Sequence, residues 1–183
     1  MTRLVLIAVC ATCVAGAALA QAPGSIGVFS VFPVDGGCNI VDDGGFIQVE
    51  VLHVHHDGAT AAQFKLDVDN TGWTHLGDMF NFATVIGSSI TGTSVAYGAC
   101  LTIPVHLVTV SFAGTSVPPC TYISIVPDPT APTGKIEAVD CGWPDWQKIF
   151  PTGGEAIVNS TPQCNCSVPV EDTTWGGVKA LYY

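Results

Sequence analysis

Asp67, Asp69 and Asp78 fall at the first, third and twelfth places of a twelve-residue window, with Thr71 at five, Gly72 at six, Trp73 at seven and His75 at nine. Oxygens at such places can wrap one calcium ion, the seventh through a backbone carbonyl, while the glycine permits the sharp turn. Thr71 is a weaker ligand than Asp or Asn, and Asp78 stands where a bidentate Glu would be usual. The same residues also read as an Asx-rich hairpin turn joining two strands. Calcium is the one cofactor this pattern suggests. A second cluster is His53, His55, His56 and Asp57. On a strand, His53 and His55 point the same way about 7 Å apart, which suits two nitrogen ligands of one transition metal if a third arrives from elsewhere. The plainer reading is a half-exposed strand end. His106 shares a face with Val108, Val110 and Phe112 and reads as a hydrogen-bonded core histidine.

Catalytic constellations are weak. There is no G-x-S-x-G elbow and no phosphate-cradling motif, and no serine stands out with a partner histidine. The carboxylate pairs Asp42 with Asp43 and Asp140 with Asp145 lie in loops, where spacing alone does not fix their separation. No catalytic residue is predicted, and the chain is expected not to be an enzyme; a small metal-dependent enzyme using His53 and His55 is the alternative. Trp73, Trp143, Trp146 and Trp175 could stack on sugar rings, although Trp143, two residues from Cys141, also reads as core.

The elements that position these residues are strands. In G58-A-T-A-A-Q-F-K-L-D-V-D69, Phe64, Leu66 and Val68 alternate with Gln63, Lys65, Asp67 and Asp69, the mark of a strand with one buried face. Further strands are expected at 26–32, 46–56, 95–97, 105–112, 122–126, 135–140, 147–150 and 156–158. The segment 79–86 reads as a strand or an irregular packed stretch, and the Ser/Thr/Gly-rich 87–94 as a loop. With no helical period over eleven residues or more, eight to ten short strands predict an all-β, antiparallel sandwich, cohesin-like or jelly-roll-like.

Arg3, the apolar run Leu4 to Ala17 and Ala18-Leu19-Ala20 read as an export signal, releasing a chain that starts at Gln21. No later apolar stretch has spanning length, so a soluble secreted or cell-surface protein is expected, with no membrane span in the mature chain. Of eight cysteines, two fall in the signal. The remaining Cys38, Cys100, Cys120, Cys141, Cys164 and Cys166 predict three disulfides of unresolved pairing, with Cys164 and Cys166 each reaching a different partner. The expected organisation is a signal at 1–20, a β-sandwich domain at 21–160 and a Cys-containing linker with a short tail at 161–183. Beyond the signal, four lysines face fifteen carboxylates, a net charge of −11. That excludes nucleic acid and anionic membranes as natural partners and leaves an extracellular protein or polysaccharide.

The core of the alternating segment, with Ala62, Gln63, Phe64, Leu66 and Asp69 as its matching residues, resembles the early strand of cohesin-like and related carbohydrate-binding-type β-sandwiches of secreted bacterial proteins. The resemblance implies the fold and a non-catalytic binding, adhesion or matrix role, or a carbohydrate-binding module with structural calcium. It does not extend to dockerin binding: Val68 stands where those families usually carry tyrosine, and the cysteine framework is foreign to them. The tail Thr174-Trp-Gly-Gly-Val-Lys-Ala-Leu-Tyr-Tyr183 is similar to short C-terminal ends of exported environmental bacterial proteins. It also reads as an amphipathic turn, with Trp175, Val178 and Leu181 on one face.

Overall fold

The computed structural model describes residues 22–31, 37–69 and 72–166. The expected signal, the tail and Thr71 lie outside them. Period-two patterning places thirteen strands among the described residues: β1 (Ser25–Ser30), β2 (Asn39–Ile40), β3 (Gly45–Val54), β4 (Ala59–Val68), β5 (Trp73–Phe80), β6 (Thr84–Ser88), β7 (Gly92–Leu101), β8 (Val105–Gly114), β9 (Thr121–Val126), β10 (Glu137–Val139), β11 (Lys148–Ile149), β12 (Thr152–Gly153) and β13 (Glu155–Val158). They form two sheets. One has the order β12-β1-β3-β8-β5; the other runs β11-β10-β4-β9-β13-β2, with β7 also paired to β4 and β6 to β7. Pairing is antiparallel except for β1 with β12 and β2 with β13.

The inward residues of the two sheets make the core. Ile26, Val28, Val49, Val51, Val110 and Phe112 of the first sheet meet Phe64, Leu66, Val95, Ile123 and Ile125 of the second, all buried. β4 is the strand around which the second sheet is assembled. Ala61, Ala62 and Gln63 pair with both β7 and β10, and Lys65 to Val68 pair with β9.

Two bulges correct the sequence reading. Between β5 and β8 the register shifts at His75/Gly77. The extra residue breaks the alternation of Trp73, His75, Asp78 and Phe80, which is why a strand in this segment reads as a ligand loop. Between β3 and β8, Val51 pairs with Val108 while Leu52 pairs with His106. Leu107 is therefore the extra residue, and both Leu107 and Val108 are buried. His106 is displaced from the core face to the outer face, half-buried and hydrogen-bonded to Asn81 and Thr109. The polar stretch after Gly87 is likewise a hairpin rather than a loop, with β6 paired to β7 through Ser88 and Gly92.

Three disulfides join Cys38 to Cys166, Cys100 to Cys141 and Cys120 to Cys164. As expected from their spacing, Cys164 and Cys166 reach different partners and fasten residues 161–166 to the sandwich twice. Phe64→Ala is expected to destabilise the protein by about 3–5 kcal/mol through the lost burial and the cavity it leaves, measured by urea unfolding; a loss below about 1 kcal/mol would contradict the central placement of β4.

Candidate functional site

Among the described residues the carboxylates of the calcium reading do not converge with a third ligand, although Asp67, Trp73 and His75 line one open cleft of about 230 Å³. Asp67 follows buried Leu66 on β4, so it faces outward from the second sheet, exposed and paired with Lys65 Nζ at 2.9 Å. Asp78 lies on β5 of the first sheet opposite buried Val110 and points between the sheets. Its Oδ1 bonds His75 Nε2 at 2.9 Å and accepts from Ser89 Oγ at 2.6 Å, while Oδ2 accepts from the Ser89 amide at 2.8 Å. The two carboxylates bond different partners, Lys65 for Asp67 and His75 with Ser89 for Asp78. Asp69 is exposed, its amide donating to Tyr122 O. Trp73 stacks on Phe112 and donates its indole N–H to Asp42. His75, Asp78 and Ser89 have the residue types of a triad, but the serine donates to the aspartate and is fully buried, so it is no accessible nucleophile.

The histidine reading is corrected as well. His55 has φ +57° and turns out to solvent, which ends the alternation one residue early. His56, instead of His55, folds over His53, their rings stacked at 4.1 Å. His53 is fully buried and both its nitrogens are engaged, Nε2 with Pro23 O at 2.9 Å and Nδ1 with Tyr97 Oη at 3.1 Å. A carbonyl only accepts, so Nε2 carries the proton and Nδ1 accepts from the tyrosine. No ring lone pair of His53 is left for a metal. The His56 ring is buried with neither nitrogen hydrogen-bonded among the described residues. Among those residues no group of three His, Cys, Asp or Glu side chains converges.

The paired loop carboxylates serve the backbone. Asp42 Oδ2 accepts from Trp73 Nε1 and the Val117 amide, both at 3.0 Å, and Oδ1 from the Gly44 amide at 2.8 Å. Asp140 Oδ1 accepts from the amides of Gly142 and Gln147. Each carboxylate caps the amide two residues on, at Gly44 and Gly142, which is the local Asp-x-Gly turn pattern; the bonds of Asp42 to Trp73 and Val117 join distant segments and leave no pattern in the sequence.

What the fold does assemble is an open groove of about 280 Å³ across the outer face of the second sheet. Register sets two rows on it: Thr84, Ala96, Ala61, Val139 and Lys148 in one, Ile86, Ser94, Gln63 and Glu137 in the other. The floor is Ala61, Ala96 and Ser94. Ile86, 73% exposed, stands at one rim. At the other, Glu137 accepts from Lys148 Nζ and Thr133 Oγ1, and Lys148 first, then Thr133, holds its carboxyl below the usual range.

No family model matches the chain, and no curated protein matches it in sequence. Among solved structures it is similar to the seventh ScaB type I cohesin of Pseudobacteroides cellulosolvens, at 13% identity over 80% of this chain and 95% of that one, with a TM-score of 0.48. It is also similar to a non-cellulosomal cohesin of the archaeon Archaeoglobus fulgidus, at 14% identity over 75% and 91%, TM-score 0.49. A chain of the CaDoc0917–CaCohA2 complex aligns at 11% identity over 75% and 99%, TM-score 0.51. The fold is thus a cohesin-like β-sandwich, a likeness of architecture that rests on the last of these.

Two outcomes are expected. With Asp67 paired to Lys65 and Asp78 to His75 and Ser89, millimolar calcium added to chelator-treated protein leaves the melting temperature unchanged; a rise of several degrees would restore the calcium reading. Burial, only partly offset by the Pro23 carbonyl, lowers the His53 pKa to about 4, whereas an unfolded histidine titrates near 6.5. Between those values the unfolded chain takes up a proton that the folded chain refuses. Stability is therefore full above about pH 6.5 and falls by up to ~3 kcal/mol as pH drops to about 4. Urea unfolding across that range checks it, and a flat profile would contradict the buried neutral pair.

Proposed function

We propose that this chain is a non-catalytic extracellular module that binds a protein partner through the outer face of β6, β7, β4, β10 and β11. One observation carries the reading: the middle of that face holds Ala61, Ala96 and Ser94, where a solvated sheet ordinarily carries long polar or β-branched side chains. Small residues there let a partner's backbone approach closely. Five strands about 4.8 Å apart give a face about 20 Å wide, on the scale of one side of a standard interface of about 800 Å². Exposed Ile86 and the half-buried β10–β11 border supply an apolar rim and an ion pair.

Three disulfides support that compartment, since such bridges persist in oxidising surroundings. The export signal at 1–20 supplies the route. CaCohA2 is named in a complex with CaDoc0917, an instance of a related sandwich engaged with another protein; the partner inferred here is defined only by a surface that fits a flat, small-residue floor.

Chain 21–183, immobilised and exposed to the extracellular fraction of the producing cells, is expected to retain one protein whose affinity can then be measured by calorimetry. Ala61→Arg places a long cation on the floor without touching the core. It is expected to weaken that binding at least tenfold, with stability changed by no more than about 0.5 kcal/mol. Unchanged affinity in Ala61→Arg and in Ser94→Arg would sink the assignment of this face.

A further inference from the structure

We infer that the loop joining β10 to β11 is a second binding site, for a neutral saccharide, built on Trp143 and Trp146. Trp143 is 78% exposed and Trp146 55%, although a buried aromatic contributes more to stability than almost any other side chain. Trp73 shows the ordinary alternative, stacked on Phe112 with its N–H bonded. The two loop indoles instead meet edge to face at 5.4 Å and 63°, so each supports the other and leaves ring surface free.

The loop that presents them is tightly held. Asp140 is buried, its carboxylate accepting from the amides of Gly142 at 3.0 Å and Gln147 at 2.8 Å, and its own amide donating to Gln147 O at 3.0 Å. Thr60 Oγ1 donates to the Asp140 carbonyl, the Trp143 amide donates to Cys141 O, and Cys141 is bridged to Cys100. Fixing both ends of an eight-residue turn, 140–147, lowers the ordering cost of binding, which is what preorganisation contributes to affinity.

The surroundings select the ligand. A hexopyranose offers a flat face of C–H bonds to stack on an indole and a rim of hydroxyls. Asp145, exposed and next to Trp146 in the chain, provides a carboxylate acceptor for that rim, and the exposed Gln147, its Nε2 donating to the Asp145 carbonyl at 2.8 Å, keeps its side-chain oxygen as a second acceptor. The same carboxylate, on a chain with four lysines after the signal and fifteen acidic residues, repels uronic acids, sulfated sugars, nucleic acids and anionic membranes. Two exposed rings fall far short of the about 800 Å² that one side of a protein interface covers.

The loop borders the groove of the proposed protein face, so the test must separate them. Calorimetry and tryptophan fluorescence on chain 21–183 use cellohexaose and mannohexaose as neutral probes and hexagalacturonate as the acidic one. Expected is saturable binding of a neutral hexamer, weakened at least tenfold by Trp143→Ala and by Trp146→Ala, retained in Ala61→Arg, and absent for hexagalacturonate. Both substitutions lie on exposed side chains, and an unchanged melting temperature confirms that each variant folds. No binding of either neutral hexamer at 5 mM would overturn the proposal. So would undiminished binding in the Trp143→Ala, Trp146→Ala double variant, or loss of the retained protein partner in that variant with no sugar effect, which would assign the loop to the protein interface. Loss of partner binding in Ala61→Arg alone bears on the sheet face and leaves the saccharide site standing.

Discussion

The alternation along β4 is the constraint on which the other features rest. Phe64 and Leu66 on its inner face anchor the core between the sheets. That fixes Ala61, Gln63 and Lys65 on the outer face, because a slip of one residue would exchange the two sets. The same strand pairs β7 and β10 along one half and β9 along the other. A single register thus sets the packing, the composition of the groove floor and the placement of the β10–β11 hairpin with its two exposed indoles.

Around that frame, buried polar groups do structural tasks that small apolar contacts could not. Asp42 gathers amides and an indole N–H from three separate segments, and Asn159 bonds the Asp42 carbonyl and amide from a fourth. His53 bridges the sheets through Tyr97 and reaches Pro23 just before β1. The disulfides act at the periphery, where strands of two or three residues such as β2 and β10 have little pairing of their own. Stapling them is consistent with a chain whose long-range pairings dominate and whose glycine content weakens local preference.

The fold class was legible because β4, β8 and β9 carry their burial as period-two or continuous apolar patterns, and the even cysteine count announced three bridges. The failures have a common cause. At Leu76 and Leu107 a bulge inserts one residue, so β5 loses its alternation and His106 stands on the face opposite to the one its spacing predicts. At His55 a left-handed backbone moved the paired imidazole to His56. Strand pairing across the sheet was also out of reach: Ala61, Ser94 and Ala96 are unremarkable in sequence and become a continuous floor only when β4 and β7 lie side by side. Trp143 next to a disulfide suggested core, yet the Asp140-capped turn directs it to solvent.

The claim that the β4–β7 face receives a protein is tested most directly by site-specific photo-crosslinking in the producing cells. A benzophenone side chain is placed in turn at position 96, on the groove floor, and at position 46, where Phe46 is 62% exposed on the opposite sheet. The account predicts a discrete crosslinked adduct from position 96 and none from position 46. Adducts from position 46 alone, or from neither, would contradict it.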